Sequence, residues 1–142
     1  MTHALLIPVV ALVAWTLIMW VWMLATRLPA MRKVKMHPQA AKHTGAGSTD
    51  ELPSEVRQVA DNYNHLMEQP TLFYALVLAI AVGGFAQMLD VWLAWGYVAL
   101  RIAHSILQAT VNIVMYRFYL FVASTFLLIM LAARTLTAFL LI

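Results

Sequence analysis

From Ala4 to Ala25 the chain carries no charged residue, a predominantly apolar run long enough to cross ~30 Å of hydrocarbon as one helix. Residues 28–53 break that pattern with Pro29, Pro38, Gly45, Gly47 and Pro53, and predict a polar connection rather than a helix. A second helix is expected to begin near Ser54. Its first half is polar, with Arg57, Asp61, Asn64 and Glu68 spaced 4, 3 and 4, which places them on one helical face. Pro70 is expected to kink this helix before the apolar stretch Thr71–Val82. A third span repeats the device: Arg101, His104, Gln108 and Asn112 fall at intervals of 3, 4 and 4. The fourth is rich in Phe, Leu and Ala, with Arg134 near its outer end, where it is expected to snorkel outward. The pattern predicts an all-α integral membrane four-helix bundle forming one domain over 1–142. Its spans are expected at about 4–26, 62–82, 88–115 and 118–140, with a loop at about 27–57.

Two sites compete for the turn between the second and third spans, Gly83-Gly84 and Leu89-Asp90. A turn near Gly84 puts Glu68 and Arg101 each roughly 16 residues away, hence at similar depth at ~1.5 Å per residue. A turn at Asp90 would leave Arg101 alone in hydrocarbon, at a cost of several kcal/mol by order of magnitude. The Gly84 turn is therefore expected. It also brings His65 level with His104 and Asp61 level with Gln108.

Composition agrees with a membrane protein. Of 142 residues 63% are hydrophobic and 11% charged, against about 25% charged in a typical soluble domain. Cysteine is absent, which removes disulfides, thiolate catalysis by the chain and cysteine-ligated metals. Six of nine cationic residues lie between Arg27 and Arg57. That cluster directly follows an apolar span, so the positive-inside rule makes the first loop cytoplasmic and both termini non-cytoplasmic. The same placement argues against nucleic acid as the partner and for the bilayer. No basic region precedes the first span, so no cleavable signal peptide is expected. Trp20 and Trp22 are expected at the cytoplasmic interface, Trp92 and Trp95 at the opposite one.

Ionisable groups inside a membrane face partners or a wet cavity. Glu68 and Arg101 are expected to form an ion pair between helices, with a substrate contact as the alternative. His104 fits a helix–helix hydrogen bond and a ligand contact equally. Asn64 and Asn112 are read as interhelical hydrogen-bonding residues. Two histidines at one level raise a haem or metal site, but a pair of imidazoles does not specify a metal, and none is expected.

Arg57-Gln-Val-Ala-Asp-Asn-Tyr-Asn-His-Leu-Met-Glu68-Gln-Pro70 resembles the second-helix signature of the MAPEG family, the membrane-associated proteins in eicosanoid and glutathione metabolism. Arg101-Ile-Ala-His104 is similar to that family's third-helix motif. Arg117 falls where the family has an Arg soon after the third helix, and Arg27 resembles its Arg at the cytoplasmic end of the first. The resemblance covers most of the chain and is to the bacterial type, which places the chain in a bacterial inner membrane. It implies a homotrimer binding glutathione as co-substrate, and a hydrophobic or lipid substrate, between subunits near the cytoplasmic side. By it, Arg27, Asn64, His65, Glu68, His104 and Arg117 line the glutathione pocket, with Arg117 the catalytic residue that stabilises the thiolate. Arg101 would pair with Glu68, within or between subunits. The chemistry is sound: guanidinium groups grip carboxylates bidentately, and a nearby cation favours thiolate over thiol.

The chain also departs from the family's pattern. Gln108 stands where catalytic members carry a Tyr one turn after the histidine, and Phe121 replaces a second Tyr. Asp61 stands where some members have a cation for a glutathione carboxylate. Three readings follow: a glutathione transferase or peroxidase acting on a hydrophobic electrophile, a non-catalytic lipid-binding or scaffold protein of the same fold, and a haem-binding electron carrier using His65 and His104.

Overall fold

The computed structural model describes residues 1–37, Gln39 and 50–141. Lys42 of the basic loop, with Pro38, Gly45 and Gly47, lies outside the described residues. Five helical segments make four columns: α1 (Thr2–Lys33), α2 (Ser54–Leu66) continued by α3 (Pro70–Gly83), α4 (Met88–Ala109) and α5 (Val114–Leu140). No strand occurs among the described residues.

Three columns are long and apolar enough to cross a membrane by themselves: α1, α2 with α3, and α5. The fourth, α4, has 22 residues, ~33 Å of helix, and buries its polar face. Asp90, Arg101, His104, Ser105 and Gln108 on α4 are all buried. The outer columns present Val10, Leu17, Val21, Phe126, Ile129 and Leu136 outward, as a lipid-facing surface requires. The polar face of α4 is thus screened from lipid by α1, α2 and α5, against which it packs.

Each connection follows from local chemistry. α1 runs eight residues past Ala25 to Lys33 and closes with Lys35 in the left-handed region (φ 51). There Met36 N–H bonds to Met31 O and Lys35 N–H to Arg32 O, the paired bonds of a Schellman ending. Pro70 does more than kink its helix. It has no N–H to give Leu66, so α2 stops there, the next bonds tighten to three-residue steps, and α3 begins with Pro70 in its first turn. The hairpin then turns at Gly84 (φ 76), with Phe85 N–H on Ile80 O and Gly84 N–H on Ala81 O. Asn112 (φ 56), a residue type tolerant of that conformation, makes the last turn.

The core lies between α1, α3, α4 and α5. Leu5, Leu12, Phe73, Val77, Tyr97, Val98, Leu128 and Leu131 are buried there, with Phe73 stacked on Tyr97 at 4.6 Å between centroids. A smaller cluster of Met19, Val59, Leu66 and Ala109 joins α1 and α2 to the C-terminal end of α4. Trp22 turns partly inward against this cluster rather than standing wholly in lipid.

Arg134 does not snorkel free. Its Nε donates to Asp90 Oδ1 at 2.6 Å and its Nη2 to Gln87 Oε1 at 2.8 Å. Asp90, buried in the first turn of α4, also accepts the Gln87 N–H at 2.9 Å. A carboxylate there answers the positive end of the helix dipole and the otherwise unused N–H groups.

Candidate functional site

The α4 stripe is one inward face. Arg101, His104 and Gln108 are buried at 0–3% exposure, and Ser105 joins them. The fourth member, Asn112, lies past the helix end and accepts Arg117 Nη1 on its Oδ1 at 2.5 Å. His65 comes in from the last turn of α2, its ring 5.0 Å from that of His104. Phe121 of α5 closes the group, 5.6 Å from His65 and 6.4 Å from His104. The two imidazoles lie at one level, and their packing leaves no gap for a macrocycle between them. Among the described residues no group of three or more His, Asp or Glu side chains is placed to hold a metal ion.

Arg101 is completely buried. Its Nη2 donates to His65 O at 3.3 Å and its guanidinium carbon lies 5.7 Å from the Phe121 ring centre. Among the described residues its Nε and Nη1 have no partner, and neither do Arg117 Nε, His65 Nε2, Asn62 Oδ1 and Gln108 Oε1. The expected ion pair with Glu68 is not formed within the chain. Glu68 falls in the break between α2 and α3, is exposed, and places Oε2 3.0 Å from His65 Nδ1 instead. Glu68 lies on the exposed side with Asp61 and Asn64, turned away from the buried Arg101.

The stripe expected on α2 is rotated relative to the observed one. Gln58, Val59, Asn62 and Leu66 are buried, whereas Asp61, Asn64 and Glu68 face out and Arg57 pairs with Asp50 at 3.0 Å. Val59 and Leu66 decide the matter, because their apolar side chains define the inner face and Asn62 lies between them at helical spacing. Asn64 therefore points away from the cluster of a single chain. Arg27, half-buried on α1 nearly two turns before its end, takes no part in the cluster's hydrogen bonds.

Several residues of the seam were missed as sequence features. Ser105 Oγ accepts Trp15 Nε1 at 2.9 Å and Asn62 Nδ2 at 2.8 Å, tying α1, α2 and α4 at one point. Gln58 Nε2 donates to Ala109 O and Thr110 O, satisfying carbonyls left free where α4 ends. Gln69 Nε2 donates to Thr125 Oγ1 at 2.8 Å, so the helix break is pinned to α5. The interval of three from Val59 to Asn62 and of four to Leu66 was the available signal.

Fold and seam together define an integral membrane helical bundle whose helix α4 carries a buried polar face. The profile of the MAPEG family matches residues 5–137. The chain belongs to the MAPEG family, and is a membrane protein of the type that serves glutathione and eicosanoid metabolism. No curated protein and no solved structure matches it.

Proposed function

We propose that the seam between α2, α4 and the start of α5 binds glutathione and activates its thiol toward a hydrophobic electrophile, as a glutathione transferase or peroxidase does. The observation that carries this reading is the set of unpartnered donors on Arg101 and Arg117. Buried guanidinium groups without counter-charges are costly, and the two carboxylates of glutathione are suitable acceptors. Arg117, anchored through Nη1 to Asn112, keeps its Nε for the thiolate. His65, Glu68 and His104 complete the lining.

A homotrimer fits the outward face of α2. Asp61, Asn64 and Glu68 are exposed on a column that crosses the membrane, where hydrocarbon offers them no hydration. Neighbouring subunits would cover that face and bring Asn64 and a neighbour's Arg27 to the pocket. The basic loop would lie on the cytoplasmic side of a bacterial inner membrane. The non-catalytic lipid-binding reading is favoured by one specific observation: Gln108 and Phe121 stand where catalytic members carry Tyr.

A glutathione titration of the detergent-solubilised protein, followed by thiolate absorbance, tests the proposal. Saturable thiolate formation, lost in Arg117→Ala, is expected. No binding at millimolar glutathione would sink it, and tight lipid binding without conjugation would leave the non-catalytic reading standing.

A further inference from the structure

We infer that His65 and Glu68 form a general-base dyad, in which His65 Nε2 removes the thiol proton that the missing phenols cannot manage. This rests on the glutathione reading above and names the residue that does its first chemical step. Glu68 Oε2 lies 3.0 Å from His65 Nδ1. A carboxylate only accepts hydrogen bonds, so it takes the Nδ1–H and fixes the neutral imidazole as the tautomer with a bare Nε2. That Nε2 is buried and has no partner, in a ring packed against His104 and Phe121. An orienting carboxylate, an imidazole and a free, enclosed acceptor are the parts of a general base.

The backbone holds the geometry. His65 lies in the last turn of α2 and Glu68 in the break that Pro70 imposes, three residues on. His65 O is fixed by Arg101 Nη2, and Thr71 Oγ1 donates to Glu68 O at 2.6 Å. The charged and titratable groups facing the imidazole are Glu68 from its own segment, Arg101 and His104 from α4, and Arg117 from α5. In the step, the S–H bond breaks, its electron pair stays on sulfur, and the proton passes to His65 Nε2. Glu68 balances the imidazolium, and the thiolate then bonds to the electrophilic carbon. The proton returns to the adduct in an addition, or leaves with the departing group in a displacement. His65 is the catalytic residue and Glu68 a positioning residue.

The test measures glutathione binding by calorimetry and conjugation of a chlorodinitrobenzene electrophile across pH, on the wild type, His65→Gln and Glu68→Gln. In His65→Gln, conjugation near pH 7 should fall about 100-fold, far more than glutathione binding weakens. The deficit should shrink above about pH 8.5, where a thiol ionises unaided. Glu68→Gln keeps the hydrogen bond without the charge, and should lower kcat about tenfold, by more than it changes KM. A wild-type pH profile in His65→Gln, or equal losses at every pH in both variants, overturns the dyad while leaving glutathione binding intact. A wild type that does not bind glutathione overturns the glutathione reading, and the dyad falls with it. Imidazole nitrogen NMR of the wild type gives a check independent of variant folding. A neutral His65 protonated at Nδ1 supports the dyad, and protonation at Nε2 overturns it.

Discussion

Arg134 and Asp90 join α5 to the start of α4 through two hydrogen bonds, Nε to Oδ1 at 2.6 Å and Nη2 to Oδ2 at 3.3 Å. The carboxylate is almost wholly buried, the guanidinium partly open. Removing one partner of such a pair strands the other, at about 3 kcal/mol. Arg134→Met should therefore destabilise the protein by roughly that amount, and the double variant Arg134→Met with Asp90→Asn by clearly less. Unfolding in a graded denaturing detergent gives both values. Equal losses in the single and double variants would mean that the stranded Asp90 carboxylate costs nothing.

Ser105 is completely buried and is the one acceptor shared by Trp15 and Asn62. Ser105→Ala leaves the buried Asn62 amide and the half-buried Trp15 indole N–H without a partner, which costs about 1–3 kcal/mol for the buried group and less for the other. The double variant with Trp15→Phe should recover part of that loss, since one orphaned donor goes with it. Thermal unfolding of the three variants in one detergent checks the order.

Gly84 sits at φ 76 with nothing within 4 Å of the place a Cβ would occupy. Gly84→Ala meets no steric obstacle, so its cost is the backbone conformation alone, about 1–2 kcal/mol. Equilibrium unfolding should show that loss with unchanged glutathione binding, because the turn lies at the far end of the bundle from His65.

Arg101 separates stability from function. Two of its donor nitrogens have no partner although the residue is fully buried. Exchanging a buried charge that lacks a counter-charge for an apolar side chain of similar length removes its desolvation cost. Arg101→Met should hold or raise the unfolding midpoint while weakening glutathione binding at least about tenfold. A large drop in stability with binding intact would instead make Arg101 a structural residue.

The break at Pro70 and the turn at Gly84 were both legible because each depends on what one residue's backbone can do. The α4 stripe was legible too, since Arg101, His104 and Gln108 have no stable place in lipid. The Asp90–Arg134 pair was not, because residues so far apart in sequence carry no mark of being neighbours. Gln58 and Gln69 were equally hidden, their work being to meet backbone carbonyls and hydroxyls of other columns.

The polar stripes were the first chemistry visible along the chain, and they mark the division most clearly. Sequence alone determined that the chain enters a membrane, where it breaks and turns, and that α4 must hide its charges. Those outcomes follow from hydrophobic length and from the covalent limits of Pro and Gly, which act locally. Only the tertiary structure decided which face of α2 turns inward, because Val59 and Leu66 had to find Met19 and Ala109 before that rotation was fixed. It also decided that Glu68 meets His65 rather than Arg101 within the chain. A three-residue break redirects a side chain through angles that no spacing along a continuous helix can convey.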